Sequence, residues 1–252
     1  MIYFVDKNSI VRDIWGSSDT ILLIFSGASA EFALNKAVDW LYFTGKLPKD
    51  PLDRLFSTVS YAREIVFAEK TKALQSIDMI NKIHGSVEKK RGKHIPNWAY
   101  KDVLYMLIDY SIRSYEILER KLEPFEKQDV LNVFGEVGKR MGIKDVPQDF
   151  ETFKSQRHLH LNQDLYNGEF TQDLYKQYRK HIGFVRYYLL LETQIMICPK
   201  KVSGLLQLRK FSVIKPLISS YKLSRLIKFD AVLKAMILPS EYQSNIKVMN
   251  TI

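Results

Sequence analysis

Few residues of this chain have types and spacing suited to chemistry, and His84 stands first among them. It falls on a stripe with Ile77, Ile80 and Val87 at helical spacing, and such a stripe faces a core. An imidazole placed there needs a hydrogen-bond partner or a metal, because burying it unsatisfied costs about 1–3 kcal/mol. Two readings stand side by side: a core histidine satisfied by its neighbours, and a ligand. Arg54, Ser57 and Thr58, on a segment upstream, lie at i, i+3 and i+4 and share one helical face. A third feature is Gly27-Ala28-Ser29-Ala30, a run of small residues in an otherwise apolar helix. It lets either a flat group or another helix backbone come close.

Other chemical patterns are missing. There is no Gly-rich phosphate loop, no His-Glu-x-x-His, no cysteine cluster and no Gly-x-Ser-x-Gly. None of the five histidines follows a glutamate by three residues, as a di-iron bundle would require. His94 belongs to a basic, solvated run. His158 and His160 are two apart and cannot share a helical face, so a capping or surface role is expected for them. His181 follows Tyr178 at helical spacing and is a candidate second pocket group. Cys198-Pro199 resembles the Cys-Pro pair of some haem-sensing proteins, although a lone cysteine is ordinarily a small buried hydrophobe.

These residues must be positioned by helices. Asp50-Pro51-Leu52-Asp53 combines a cap, a proline at the first helical position and an acid in the first turn. It predicts a helix carrying Arg54 and Thr58, with a break near Glu69 and a second helix reaching His84. Ser18 or Asp19 starts a helix to about Phe43, and residues 85–97 are expected as an exposed loop. Further helices open at Asn97, Pro124 and Thr171, the last ending at Cys198. Two more fill the C-terminus, interrupted near Pro216 and stopping by Pro239. Alternating strand patterns and hairpin turns are scarce. The expectation is a single all-α domain over residues 1–252.

In that order the residues resemble a known family. Arg54-x-x-Ser57-Thr58 followed by Ile83-His84-x-x-Val87 is similar to the catalytic-domain signature of latex-clearing rubber oxygenases. Their relatives include the endoplasmic-reticulum oxygenase of mycophenolic acid biosynthesis. Supporting segments follow in sequence: Trp15, Phe25-Ser26-Gly27-Ala28-Ser29-Ala30, Trp98-Ala99-Tyr100-Lys101-Asp102, Met141-Gly142-Ile143 with Pro147, and Leu238-Pro239. The resemblance spans roughly residues 10–242. It implies a globin-like helical core binding haem b, with His84 as the iron ligand. Arg54, Ser57 and Thr58 would lie at the distal side or haem edge, Arg54 and Thr58 as catalytic groups and O2 as co-substrate. Some rubber oxygenases place a lysine where Ser57 stands here, so a lysine-ligated iron is not expected. Asp39 and Glu31 are both candidates for the family's distal acid. Asp78 or a backbone carbonyl is a candidate acceptor for the second imidazole nitrogen of His84.

The implied activity is a haem-dependent oxygenation of a hydrophobic, lipid-like or isoprenoid substrate, with oxidative carbon–carbon cleavage as one form. A haem-binding sensor or carrier, and a cofactor-free helical interaction module, are the alternatives. The chain carries a net charge of +10. Between Lys200 and Lys234, nine lysines and arginines face the single acid Asp230, a local net of +8 interleaved with leucines. That window suggests peripheral contact with an anionic membrane, while no nucleic-acid module accompanies it. The opening MIYFVDKNS has no signal-peptide pattern, no apolar run reaches spanning length, and Cys198 has no partner within the chain. A cytoplasmic location, with membrane association through the basic window, is therefore expected.

Overall fold

A computed structural model describes residues 2–43, 51–218 and 221; the side chains of residues 41 and 51–56 also lie outside the description. The described residues form helices joined by short turns, with no strand and only two isolated bridges. Helix α1 (Ile10–Gly16) starts where Ser9 Oγ accepts the Val11 N–H at 3.2 Å. Helix α2 (Ser18–Leu34) is capped in the same way by Ser17. It stops nine residues short of the expected end at Phe43. The Asn35 side chain accepts the Ala37 N–H at 2.6 Å, a local bond that competes with helix propagation. The short α3 (Val38–Phe43) follows.

Helix α4 (Pro51–Phe67) begins at the predicted proline, and its Asp50 cap lies outside the described residues. After the expected break at Glu69, α5 (Lys70–Arg91) runs two turns further than predicted. Gly85 costs the helix about 1 kcal/mol but does not end it. Gly92 does, at φ 68°, with its N–H bonded to Glu88 O at 2.8 Å. The expected exposed loop from Gly85 therefore shrinks to residues 92–96.

Helices α6 (Asn97–Leu118), α7 (Pro124–Arg140), α8 (Phe150–Gln163), α9 (Glu169–Ile197) and α10 (Lys200–Leu205) complete the described fold. Thr171 Oγ1 accepts the Gly168 N–H at 3.1 Å, which moves the start of α9 ahead of the predicted cap. Gly183, at φ 76° and ψ 169°, interrupts α9. Two further helices were expected at the C-terminus, the first reaching Pro216. Helix α10 instead stops at Leu205, where Gln207 turns left-handed at φ 54° and the Leu208 N–H bonds Ser203 O at 2.9 Å. Residues 206–216 are not helical, while residues 219, 220 and 222–252 lie outside the described residues.

Helix α2 is apolar or small on nearly every side and packs between α6 and α9, the burial expected of such a helix. Its small residues let those neighbours approach. A Cβ on Gly27 would lie 2.3 Å from the Tyr110 ring of α6. On the α9 side, Gln194 donates to Ser29 Oγ at 3.0 Å and the Tyr178 hydroxyl donates to Ser29 O at 3.2 Å. Trp15, Phe134, Tyr105 and Tyr110 fill the core around this trio. The run Gly27–Ala30 thus serves helix packing, and the space a flat group would take is filled by Tyr110.

Candidate functional site

Helices α4 and α5 form a hairpin turned at Ala68–Glu69. Near the turn Ile65, Ala73 and Ile77 share one apolar cluster, and Ser76 donates to Glu64 at 3.3 Å. Arg54 and His84 each stand fifteen residues from Glu69. At 1.5 Å rise per residue each lies about 20 Å along its own helix from the bend. Ser57 and Thr58 follow one turn nearer the bend and are half-buried; the Arg54 side chain lies outside the described residues.

His84 is half-buried, as are Ile80 and Val87 on its stripe, while Ile77 is fully buried. Its ring meets that of Tyr100, on α6, at 5.3 Å between centroids. Tyr100 leans on Glu88, which takes the Ile95 N–H at 2.7 Å and lies 3.5 Å from the Tyr100 hydroxyl. Burial, and then the Glu88 charge, push the Tyr100 hydroxyl up to about 12, so it stays a donor. One further turn along the same face of α5, Arg91 pairs with Asp39 at 2.6 Å and covers the Trp40 ring at 4.0 Å. Asp39 is thereby brought near the far end of the His84 face as a paired carboxylate. Asp78 is elsewhere. Both its oxygens accept from Arg140 at 2.7–2.8 Å, so it is not the acceptor for His84.

A second constellation was not foreseen. Arg157, on α8, grips both oxygens of the fully buried Glu31 of α2, at 2.6 Å for Nη2–Oε2, and reaches Asp109 of α6 at 3.1 Å. The Tyr110 hydroxyl adds a bond to Glu31 at 2.9 Å, and Arg113 holds Asp109 at 2.7 Å. One turn on from Arg157, His160 is buried, which corrects the surface role expected for it. Its Nε2 meets Asp102 at 2.5 Å and its Nδ1 meets Asp164 at 2.8 Å. Burial pulls the His160 pKa down, but the bond to Asp102 and the negative charges nearby outweigh it and raise it above 6.5. Two carboxylates on two ring nitrogens describe an imidazolium. Burial also raises the Glu31 pKa above the usual carboxylate value, with Arg157 pulling against it.

Glu31, Asp102 and His160 offer ligand atoms within 4.8 Å of one another. They do not suit a metal as they stand. Both Glu31 oxygens face Arg157 and both His160 nitrogens face carboxylates, so a cation would have to displace cations already there. Glu31, named as a candidate distal acid, has both oxygens held by Arg157 and one also by Tyr110. Of the remaining candidates, His158 and His181 are exposed. Burial pushes the Cys198 thiol well up, and a protonated thiol is a poor iron ligand.

A family model described as "ER-bound oxygenase mpaB/B'/Rubber oxygenase, catalytic domain" matches residues 19–210. The chain belongs to this oxygenase family. The matched region of the oxygenase runs from α2 to just beyond α10 and contains Arg54, Ser57, Thr58, His84 and the whole buried network. No curated protein and no solved structure matches the chain. His84 offers one imidazole, which is the single protein ligand that the haem implied by the resemblance would need. Helices α4 and α5 carry one histidine and no cysteine. A bare catalytic metal takes about three protein ligands, whereas a porphyrin supplies four nitrogens itself and needs a single axial imidazole. Sequence reasoning missed Tyr100 as a support for His84 and missed Arg157 altogether. Arg157–His160 on α8 and Asp102–Asp109 on α6 have helical same-face spacing, a signal too common to single them out.

Proposed function

We propose that this family member is a haem-b oxygenase acting on a hydrophobic, lipid-like or isoprenoid compound, with His84 holding the iron. The observation that carries the reading is the α4–α5 hairpin. It carries Arg54 on one helix and His84 on the next, and Ser57, Thr58 and His84 on them are partly buried, inside the region matched to oxygenases. Bound there, haem b would supply an iron able to take up dioxygen, the chemistry an oxygenase requires.

The chain's own residues do the rest. Tyr100 packs against the His84 ring and limits its rotation. Arg54 contributes a charge that no physiological pH removes, suited to stabilising negative charge that develops on oxygen. The Thr58 hydroxyl can accept one proton and donate another. Ser57, unlike lysine, has too short a side chain and too weak a donor atom to close the site against substrate. Ile80 and Val87 beside His84 favour an apolar substrate.

Purified protein carries the test. A Soret band in the wild type that is lost in His84→Ala, while circular dichroism is unchanged, supports the haem reading. A colourless protein that takes up no added haemin refutes it. Oxygen uptake with an isoprenoid such as squalene, lost in Arg54→Ala although haem stays bound, supports turnover. Haem binding without uptake on any lipid tried points to a carrier or sensor.

A further inference from the structure

We propose that α9 beyond Gly183, together with residues 209–217, forms a docking surface for an anionic phospholipid membrane. The surface exists because of two local features. First, Gly183 has a backbone conformation open almost only to glycine. A side chain would meet nothing there, so the conformation and not the space calls for glycine. On the far side of this break, Phe184 and Val185 stand 69% and 70% exposed. Second, Glu192 is fully buried and accepts from Arg209, from Ser212 Oγ at 2.8 Å and from the Val213 N–H at 2.7 Å. Those bonds pin the following segment onto α9 and leave Phe211 83% exposed, with Val213 and Leu217 also outside. Arg209 reaches the Tyr188 hydroxyl at 3.5 Å, and Tyr188 lies one turn from Phe184. The two segments that carry these apolar side chains are therefore neighbours. Clustered, outward apolar groups of this size on a folded domain mark a contact surface.

Charge decides which contact. From Leu174 to Tyr221 there are nine lysines and arginines and one acid, Glu192, and that acid is buried and paired. Lys176, Arg179 and Lys180 just ahead of Gly183, and Lys210 and Lys215 in the second segment, are exposed, with Arg179 over the Phe184 ring at 5.8 Å. Cations interspersed along the chain with protruding aromatic and aliphatic groups match a bilayer with anionic headgroups above an acyl layer. Nucleic acid would engage the cations and leave Val185, Val213 and Leu217 without a partner. The basic window expected from residue 200 onward adds to this face as far as Lys215; Lys222 to Lys234 lie outside the described residues. Among the described residues no helix is long and apolar enough to cross a membrane. The contact does not depend on haem.

The test is co-sedimentation of the full chain with vesicles of phosphatidylcholine alone and of phosphatidylcholine mixed with phosphatidylserine. Wild type should sediment with the mixed vesicles, much less with the neutral ones, and less at high salt. Each exposed cation contributes about fivefold to partitioning, so Lys180→Glu with Lys210→Glu should reduce binding by well over tenfold. Phe184→Ser with Phe211→Ser removes no charge and, at exposed positions, leaves the fold intact; it should reduce binding about tenfold or more by losing apolar insertion. Equal binding to both vesicle types, or none to either, overturns the proposal. So does an undiminished serine double variant, which would leave only unspecific attraction. A dimer in size-exclusion chromatography that dissolves in the serine variant would assign the surface to a second copy and equally overturn it. Haem-free protein should bind vesicles as well as loaded protein does, so failure here and failure of the oxygenase reading are separable.

Discussion

Replacing Arg157 by methionine should be the most damaging single substitution in this protein outside the His84 face. The side chain is 6% exposed, and it neutralises Glu31, which is fully buried, together with Asp109. Removing one partner of a buried ion pair strands the other and typically costs about 3–5 kcal/mol. Tyr110 and Arg113 soften the loss without replacing it, since a hydroxyl carries no charge and Arg113 serves only Asp109. For a chain of this length each kcal/mol moves the melting temperature by about 2–4 °C, so the expected fall is about 6–20 °C. Urea unfolding followed by circular dichroism measures the free energy directly. Arg157→Met combined with Glu31→Gln removes the stranded charge. It should be more stable than the two single losses added together, by about 1 kcal/mol or more. The reasoning also excludes a metal at Glu31, Asp102 and His160. If it is wrong, a divalent ion at a hundred times its dissociation constant would stabilise the wild type by about 2.7 kcal/mol. An Arg157→Met variant within about 1 kcal/mol of wild type, or a clear rise in melting temperature with zinc or ferrous ion, would refute the network.

Two further outcomes follow from the same packing. His160 has its pKa raised in the folded state, so its favourable contribution is complete below 6.5 and fades as pH rises through the folded value. The stability gap between wild type and His160→Gln should be flat in mild acid and narrow on the alkaline side; a gap that widens with pH contradicts the imidazolium assignment. Gly27→Ala and Gly85→Ala make an opposed pair. At Gly27 the new Cβ meets a Tyr110 ring that cannot swing away, because its hydroxyl is held by Glu31, and overpacking costs about 1–3 kcal/mol. At exposed Gly85 it meets nothing within 4 Å, and the better helix former should stabilise by about 0.5–1 kcal/mol. Similar melting temperatures for the two variants would sink the close approach of α2 and α6.

What could be read from the chain alone was governed by neighbours in sequence. Helical periodicity, Pro51 at a helix start and the break at Glu69 rest on contacts within a few residues, and they located the all-α fold and the hairpin that carries Arg54, Thr58 and His84. The family signature was legible for a related reason, because its residues recur in order. Helix ends went astray where a single local bond decided them, at Asn35 and at Gly92. Tertiary structure alone settled the partners. Asp78 serves Arg140 and not His84, Gly27 makes room for Tyr110, and His160 is an interior ion held by Asp102 and Asp164. Each of these depends on which helix faces which across distances of tens of residues. Charge and hydrogen-bonding capacity are written in the residue type, but whether a carboxylate meets water, an arginine or an imidazole is fixed only when α2, α6 and α8 close around one another and exclude the solvent.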